Sequence, residues 1–276
     1  MMRMPGCRLP LLALTVLLTI VPRQAAVATE AVAPYVVTTR EDVQRMLALA
    51  SVGPGDFLID LGSGDGRIPI AAAEQGALAA GIEIDSDLVS MARDNAARAG
   101  LGDRVHFRID DVFTTPIAQA SVVTLYLMPE VNLQLRPRLL SELEPGTRVV
   151  SNSFTMGEWA PDAHVSGRSS GGLLLWIVPD RIEGRWQLES SGDVLHIKQR
   201  FQEIEVTLRS GGAVEASGVG ALRGRQFSWV GKDVEGRSLR AAARRQGEVL
   251  SGVIWREVDS DEGPERTAFT ARRRDS

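Results

Sequence analysis

The sequence predicts an α/β fold built on a mostly parallel sheet, followed by a small antiparallel β domain. Three observations carry this expectation. Between residues 33 and 180, short apolar runs alternate with amphipathic segments, the pattern left by βαβ units. The first run feeds a glycine-rich turn, Gly62-Ser63-Gly64-Asp65-Gly66, and then a helical segment. Beyond residue 180 the chain changes to short alternating runs separated by glycine, as in a small barrel or sandwich.

The elements follow in order. A first helix is expected from Thr39, which has Asp42 three residues on as in a capping box and shows Val43, Met46, Leu47 and Ala50 on one face. Apolar runs at 57–61, 79–84, 105–109, 122–127 and 148–151 read as strands; each is continuous rather than alternating, as for strands covered on both faces. A second helix follows Gly66 and ends near Gly76. A third spans 86–99 and stops at Gly100, a residue suited to a left-handed C-cap. A fourth starts at Pro129, a favoured first helical position, and reaches Leu143, with Pro137 expected to kink or interrupt it. In the C-terminal part, strands are expected at 195–197, 204–208, 226–230, 249–255 and 267–270.

Ahead of these elements, Arg3 and Arg8 precede an apolar run over 9–21 and then Ala26-Val27-Ala28, the order of a secretory signal. The run is about 13 residues, whereas a helix needs roughly 20 to cross a bilayer. Cleavage near Ala28 and export to a periplasm are therefore expected; an uncleaved leader would instead anchor the chain to a membrane. The organisation so read is a signal peptide at 1–28, an α/β domain at 33–180 and a β-rich domain at 181–276.

Composition narrows the partners. The 276 residues are 44% hydrophobic and 24% charged, enough for a sizeable core, and the net charge is −4. That balance argues against a dedicated nucleic-acid binder, which needs a surplus of Lys and Arg on one face. Cys7 is the sole cysteine and lies in the leader, and His106, His164 and His196 are scattered, so no metal site is expected.

The chemistry is concentrated at three expected strand ends. The turn at Gly62, Gly64 and Gly66 lets the backbone bend sharply and approach a ligand closely. Arg67 stands where a dinucleotide fingerprint would want Gly or Ala, which disfavours a nicotinamide or flavin cofactor. The next strand ends at Glu83, about 20 residues downstream, where a nucleotide-binding fold places a ribose-binding acid. The third ends in Asp110-Asp111-Val112-Phe113, an acid able to accept from an adenine amino group beside apolar contacts. Ligands of open α/β sheets bind outside the carboxyl ends of the strands, so these three ends outline one pocket.

Together Asp60-Leu61-Gly62-Ser63-Gly64-Asp65-Gly66, Glu83 and Asp111 resemble the cofactor motifs of class I S-adenosylmethionine-dependent methyltransferases. A narrower likeness runs from Pro34-Tyr35-Val36 through Gly64-Asp65-Gly66-Arg67-Ile68 and Leu127-Met128-Pro129-Glu130-Val131-Asn132-Leu133-Gln134-Leu135 to Glu142-Leu143 and Trp159-Ala160-Pro161. These segments resemble the mitochondrial ATP synthase c-subunit lysine methyltransferase family and its bacterial relatives. The family's Tyr-Val-Pro reads Tyr35-Val36-Val37 here, and the β-rich region lies outside the resemblance.

The resemblance implies a Rossmann-like class I methyltransferase sheet with S-adenosylmethionine as methyl donor. Asp60 and Gly62 would hold its methionine portion, Glu83 the ribose and Asp111 the adenine, with Ser63, Gly64, Asp65, Gly66 and Asp110 completing the cofactor site. Residues 126–130 would line the substrate entrance, where the Asn-Pro-Pro-Tyr tetrapeptide of other methyltransferases is absent. Tyr35 and Tyr126 are the candidates to orient an acceptor nitrogen, that of a protein lysine or a small amine. A second reading is an exported binding protein on a retained methyltransferase scaffold whose β-rich domain captures a ligand or partner, favoured by the leader and by the C-terminal strands with Trp176, Trp186, Trp229 and Trp255. Those tryptophans read more readily as ordinary core residues, since aromatics dominate small β cores.

Overall fold

The Thr39 hydroxyl accepts from the Asp42 N–H at 3.1 Å and caps helix α1 (Arg40–Leu49), whose Val43, Met46 and Leu47 are buried. The computed structural model describes residues 37–167, 171–258 and 263–274; the expected leader and Tyr35 lie outside them. Strands and helices then alternate: β1 (Phe57–Leu61), α2 (Arg67–Glu74), β2 (Leu78–Glu83), α3 (Ser86–Arg98), β3 (Val105–Ile109), β4 (Val122–Leu125), α4 (Pro129–Glu142) and β5 (Arg148–Asn152). β6 (Ala163–Val165) and β7 (Leu173–Ile177) complete a sheet of order β3-β2-β1-β4-β5-β7-β6.

The first five strands of this sheet pair in parallel, and β7 runs antiparallel to β5 and β6. Strand order reverses between β1 and β4, which opens a crevice at their carboxyl ends, the place where α/β sheets bind ligands. Burial follows from this order. β1, β4 and β5 are central and almost wholly buried. β3 is an edge strand and departs from the expected two-sided cover: His106 and Arg108 are exposed while Val105 and Phe107 face the core.

Two further features differ from expectation. Helix α4 runs unbroken through Pro137. Pro137 and Leu133, four residues before it, are both exposed, so the Leu133 carbonyl that loses its helical donor can turn to water. β6 and β7 add to the five expected strands of the sheet. An antiparallel insertion needs no crossover helix, so no βαβ punctuation announces it.

The remaining strands are β8 (Gly184–Leu188), β9 (Val194–Arg200), β10 (Glu203–Ser210), β11 (Ala213–Arg223), β12 (Gln226–Asp233), β13 (Ser238–Gln246), β14 (Val249–Arg256) and β15 (Glu265–Arg274). They form a closed antiparallel barrel in chain order, with β15 returning to pair with β8. Of the two β architectures considered, the chain adopts the barrel. Trp186, Leu195, Val206, Phe227, Trp229 and Leu250 fill its interior. Closure removes free edges, which a sandwich would leave open.

The chain leaves the sheet for the barrel through Asp180, which is 1% exposed. Arg245 on β13 donates to both of its carboxylate oxygens at 2.8 Å, the Asp180 N–H donates to Gly224 O, and Gln199 Nε2 donates to Asp180 O. Such a buried pair is far costlier to break than to replace. The two ends are unequal, since Arg245 is partly exposed and can rehydrate while the carboxylate cannot. Arg245→Met should therefore lower unfolding free energy by about 3 kcal/mol, and Asp180→Asn by clearly less. Urea unfolding of both variants checks this, and equal losses would contradict it.

Candidate active site

Physical closeness at the carboxyl ends of β1, β2 and β3 begins with the glycine turn. The Gly62 and Ser63 N–H groups both donate to Ile82 O, at 2.8 and 2.9 Å, drawing the turn against the end of β2. Gly66 caps α2 at φ +82°, in the left-handed region. A Cβ there would lie 2.5 Å from Phe107 Cζ, and one on Gly81 would lie 2.5 Å from Phe107 Cδ1. The Phe107 ring, reaching across from β3, thus occupies the space that both glycines leave.

Glu83 locks the turn from above. Its Oε2 accepts from the Gly64 N–H at 3.0 Å, and its Oε1 accepts from the Ile84 and Asp85 N–H groups at 2.8 and 3.2 Å. These charge-assisted bonds join the turn to the start of α3 and leave lone pairs available. The Asp110 N–H donates to Glu83 O at 3.1 Å, which places the end of β3 beside it. Asp111 is exposed; its Oδ1 accepts from the Phe113 N–H at 2.8 Å.

Beneath the turn, Asp60 is 2% exposed and accepts from the Thr124 hydroxyl of β4 at 2.7 Å. Burial pushes its carboxyl up from 3.8 to about 7; the Thr124 bond opposes this, and the charges of Glu83 and Asp65 add to it. The other expected residues have different employment. Asp65 is held by Arg67, whose Nη1 also donates to Thr38 O at 2.8 Å, tying the turn to the start of α1. Asp110 pairs with Arg108 at 3.0 Å. The Ser63 hydroxyl is buried against Gly81 without a hydrogen-bond partner.

Tyr126 follows β4 directly, and its ring stacks on Phe154 at 6.2 Å and 25°. Asn132 on α4 donates to Phe154 O and Ser151 Oγ at 3.3 Å each, fixing the segment that carries this second ring. Phe107, Thr124, Asn132 and Phe154 were not among the sequence candidates. Asn132 falls in the 127–135 segment of the family resemblance, which gives it no role by itself; Phe107, Thr124 and Phe154 carry no motif signal, since their roles come from the register of neighbouring strands. Trp176, Trp186 and Trp229 are core residues, and Trp255 lies on the outer barrel wall under the Arg240 guanidinium. Two open grooves run over that wall, one past Arg223 and Arg244 and one past Arg240 and Trp255; neither includes Asp60, Glu83 or Asp111.

Comparison with known proteins decides what the cleft is for. The model of the ANTKMT methyltransferase domain matches residues 60–163. A protein-lysine N-methyltransferase of Saccharolobus islandicus is 42% identical over 130 residues, covering 46% of this chain and 81% of its own. The chain belongs to the ANTKMT methyltransferase family. The human lysine N-methyltransferase of the ATP synthase c-subunit is 37% identical over 134 residues, covering 49% of this chain and 57% of the human one. A crystal structure described as an RNA methyltransferase from Salinibacter ruber in complex with S-adenosyl-L-homocysteine is 53% identical, covering 53% of this chain and 96% of that one at a TM-score of 0.52.

The chain is thus an S-adenosylmethionine-dependent methyltransferase. The residues present fit that cosubstrate. The turn is free of side chains at Gly62, Gly64 and Gly66, Glu83 has acceptor capacity for ribose hydroxyls, and Asp111 Oδ1 and the half-buried Val112 and Phe113 stand at the next strand end. No observation favours a binding protein on a retained scaffold.

The state of Asp60 gives a pH test. Its folded pKa is raised, so the stability linked to its proton is complete below 3.8 and is lost as pH rises through about 7. Relative to Asp60→Asn, the unliganded protein should lose up to about 4 kcal/mol between pH 4 and 7 and little above that. Chemical denaturation of both proteins across this range measures the difference, and parallel curves would refute the assigned protonation.

Proposed function

We propose that this methyltransferase modifies the ε-amine of a protein lysine. The observation that carries the reading is the match over residues 60–163 to a family whose relatives, at 42% and 37% identity, are described as protein-lysine methyltransferases. The site's chemistry is compatible with it. The cosubstrate supplies a methyl group on a sulfonium, a leaving group activated by its own positive charge. The chain's residues then have to orient and dehydrate the reactants rather than provide a strong acid or base. Gly62 to Gly66 and Glu83 fix the donor side. Tyr126 and Phe154 offer a paired aromatic wall on the acceptor side, where low polarity would depress the pKa of a lysine ammonium and favour the free amine.

The Salinibacter structure raises RNA as a second acceptor class, on higher identity. A net charge of −4 and three acids, Glu83, Asp110 and Asp111, at the strand ends make a poor surface for a phosphate backbone. The two readings separate in one assay. Methyl-labelled S-adenosylmethionine is offered to the full chain with poly-L-lysine and with total RNA, and the products are hydrolysed. Methyl-lysine is expected from the first, and Glu83→Ala should lower donor affinity by roughly 100-fold through lost charge-assisted bonds. Label in RNA alone would overturn the lysine reading.

We also propose that the chain is exported, on the strength of Arg3, Arg8 and the apolar run that follows. N-terminal sequencing of protein from fractionated cells should find a start near residue 29 outside the cytoplasm, and an intact leader on cytoplasmic protein would exclude it.

A further inference from the structure

The β9–β10 hairpin of the barrel turns at Phe201 and Gln202, and Phe201 has φ +54°, a left-handed conformation that an aromatic residue rarely adopts and glycine would take freely. Its backbone is held there by Gln199 Nε2, which donates to Phe201 O at 2.7 Å, and by the Leu222 N–H, which donates to Gln202 O at 2.7 Å. The ring does not turn into the barrel. It packs into the core beneath the parallel sheet, stacked on Trp159 at 6.3 Å and 19°, with the Arg136 guanidinium 5.4 Å from its centroid.

Both ring partners belong to the acceptor side. Trp159 lies in the segment that leaves β5, and Arg136 on α4 donates to Met156 O of the same segment at 2.9 Å. Gln202 Nε2 donates to Ala160 O at 2.7 Å, and Arg200 pairs with Glu158 at 2.9 Å. This same short segment begins with Phe154, whose ring faces Tyr126. The hairpin therefore grips at Glu158, Trp159 and Ala160, while α4 grips at Phe154 and Met156.

We propose that Phe201 is a positioning residue for the methyl acceptor: through Trp159 and Arg136 it sets the segment after β5, and with it the Phe154–Tyr126 wall. A two-residue hairpin itself calls for φ > 0 at its first loop position, so the role follows from where the ring lies, stacked on Trp159 and beside Arg136. The inference rests on the reading that Tyr126 and Phe154 border the acceptor entrance. It also gives the barrel, which lies outside the 60–163 family match, a part in the reaction.

The test uses the full chain labelled with 3-fluorotyrosine. The sequence has two tyrosines, so fluorine NMR has few signals, and Tyr126→Phe assigns the relevant one. In Phe201→Ala the Tyr126 signal should shift or broaden, and Phe201→Trp, which keeps a ring there and adds no tyrosine, should restore it. With poly-L-lysine as acceptor, the KM of Phe201→Ala should rise roughly tenfold while affinity for S-adenosylmethionine, by calorimetry, stays within about twofold. An unmoved Tyr126 signal, an unchanged acceptor KM, or acceptor KM and donor affinity worsening together would overturn the proposal. If the wild type does not methylate poly-L-lysine, the lysine reading fails on its own, and the fluorine signal alone then decides the role of Phe201: a shift supports it and no shift overturns it.

Discussion

The Phe107 ring can reach its place only because Gly66 and Gly81 have no side chains, and the glycine turn is built on that one steric arrangement. A Cβ at either glycine would sit 2.5 Å from the ring. With the ring in place, the turn rests on β3 as well as on β2, and the backbone N–H of Gly64 is presented to Glu83. The contact spans three neighbouring strands, so the turn is not a loop attached to the sheet but part of its packing.

On that base, charge is arranged in two layers. Glu83 is satisfied by three backbone N–H groups and remains half-exposed, whereas Asp60, directly below, is sealed from water with one hydroxyl donor. Two carboxyls of the same turn region thus have opposite surroundings, one suited to accept hydrogen bonds as an anion and the other favouring its proton. A cationic ligand settling near Asp60 would tilt it back toward the ionised form.

Much of this was legible in the chain because the motif is local. Gly62 to Gly66 sit in consecutive positions and Glu83 ends the very next strand, so spacing alone brings them together. Phe107, Thr124, Phe154 and Phe201 carry no such mark. Each matters through a neighbour distant in the chain, as Phe201 does through Trp159, and strand register and domain packing set such pairs where composition does not. In the barrel, β11 is rich in Gly and Ala, and β13 reads Ser-Leu-Arg-Ala-Ala-Ala-Arg-Arg-Gln, which on propensity favours a helix. Pairing on both sides overrides that preference. The tyrosines illustrate the other limit: Tyr126 is an obvious aromatic past a strand, yet the ring that completes its wall, Phe154, follows a different strand.

The barrel's staves are unequal. β8 has five residues and makes four pairs with β9 and four with β15, whereas β14 and β15 share eight. Arg273 adds a guanidinium 4.6 Å above the Trp186 ring, a clasp across the weakest joint. If the cylinder breathes, it parts along β8, and the other seven staves persist as one meander. The β9–β10 hairpin belongs to that meander, so its hold on the enzyme's other half would outlast the opening.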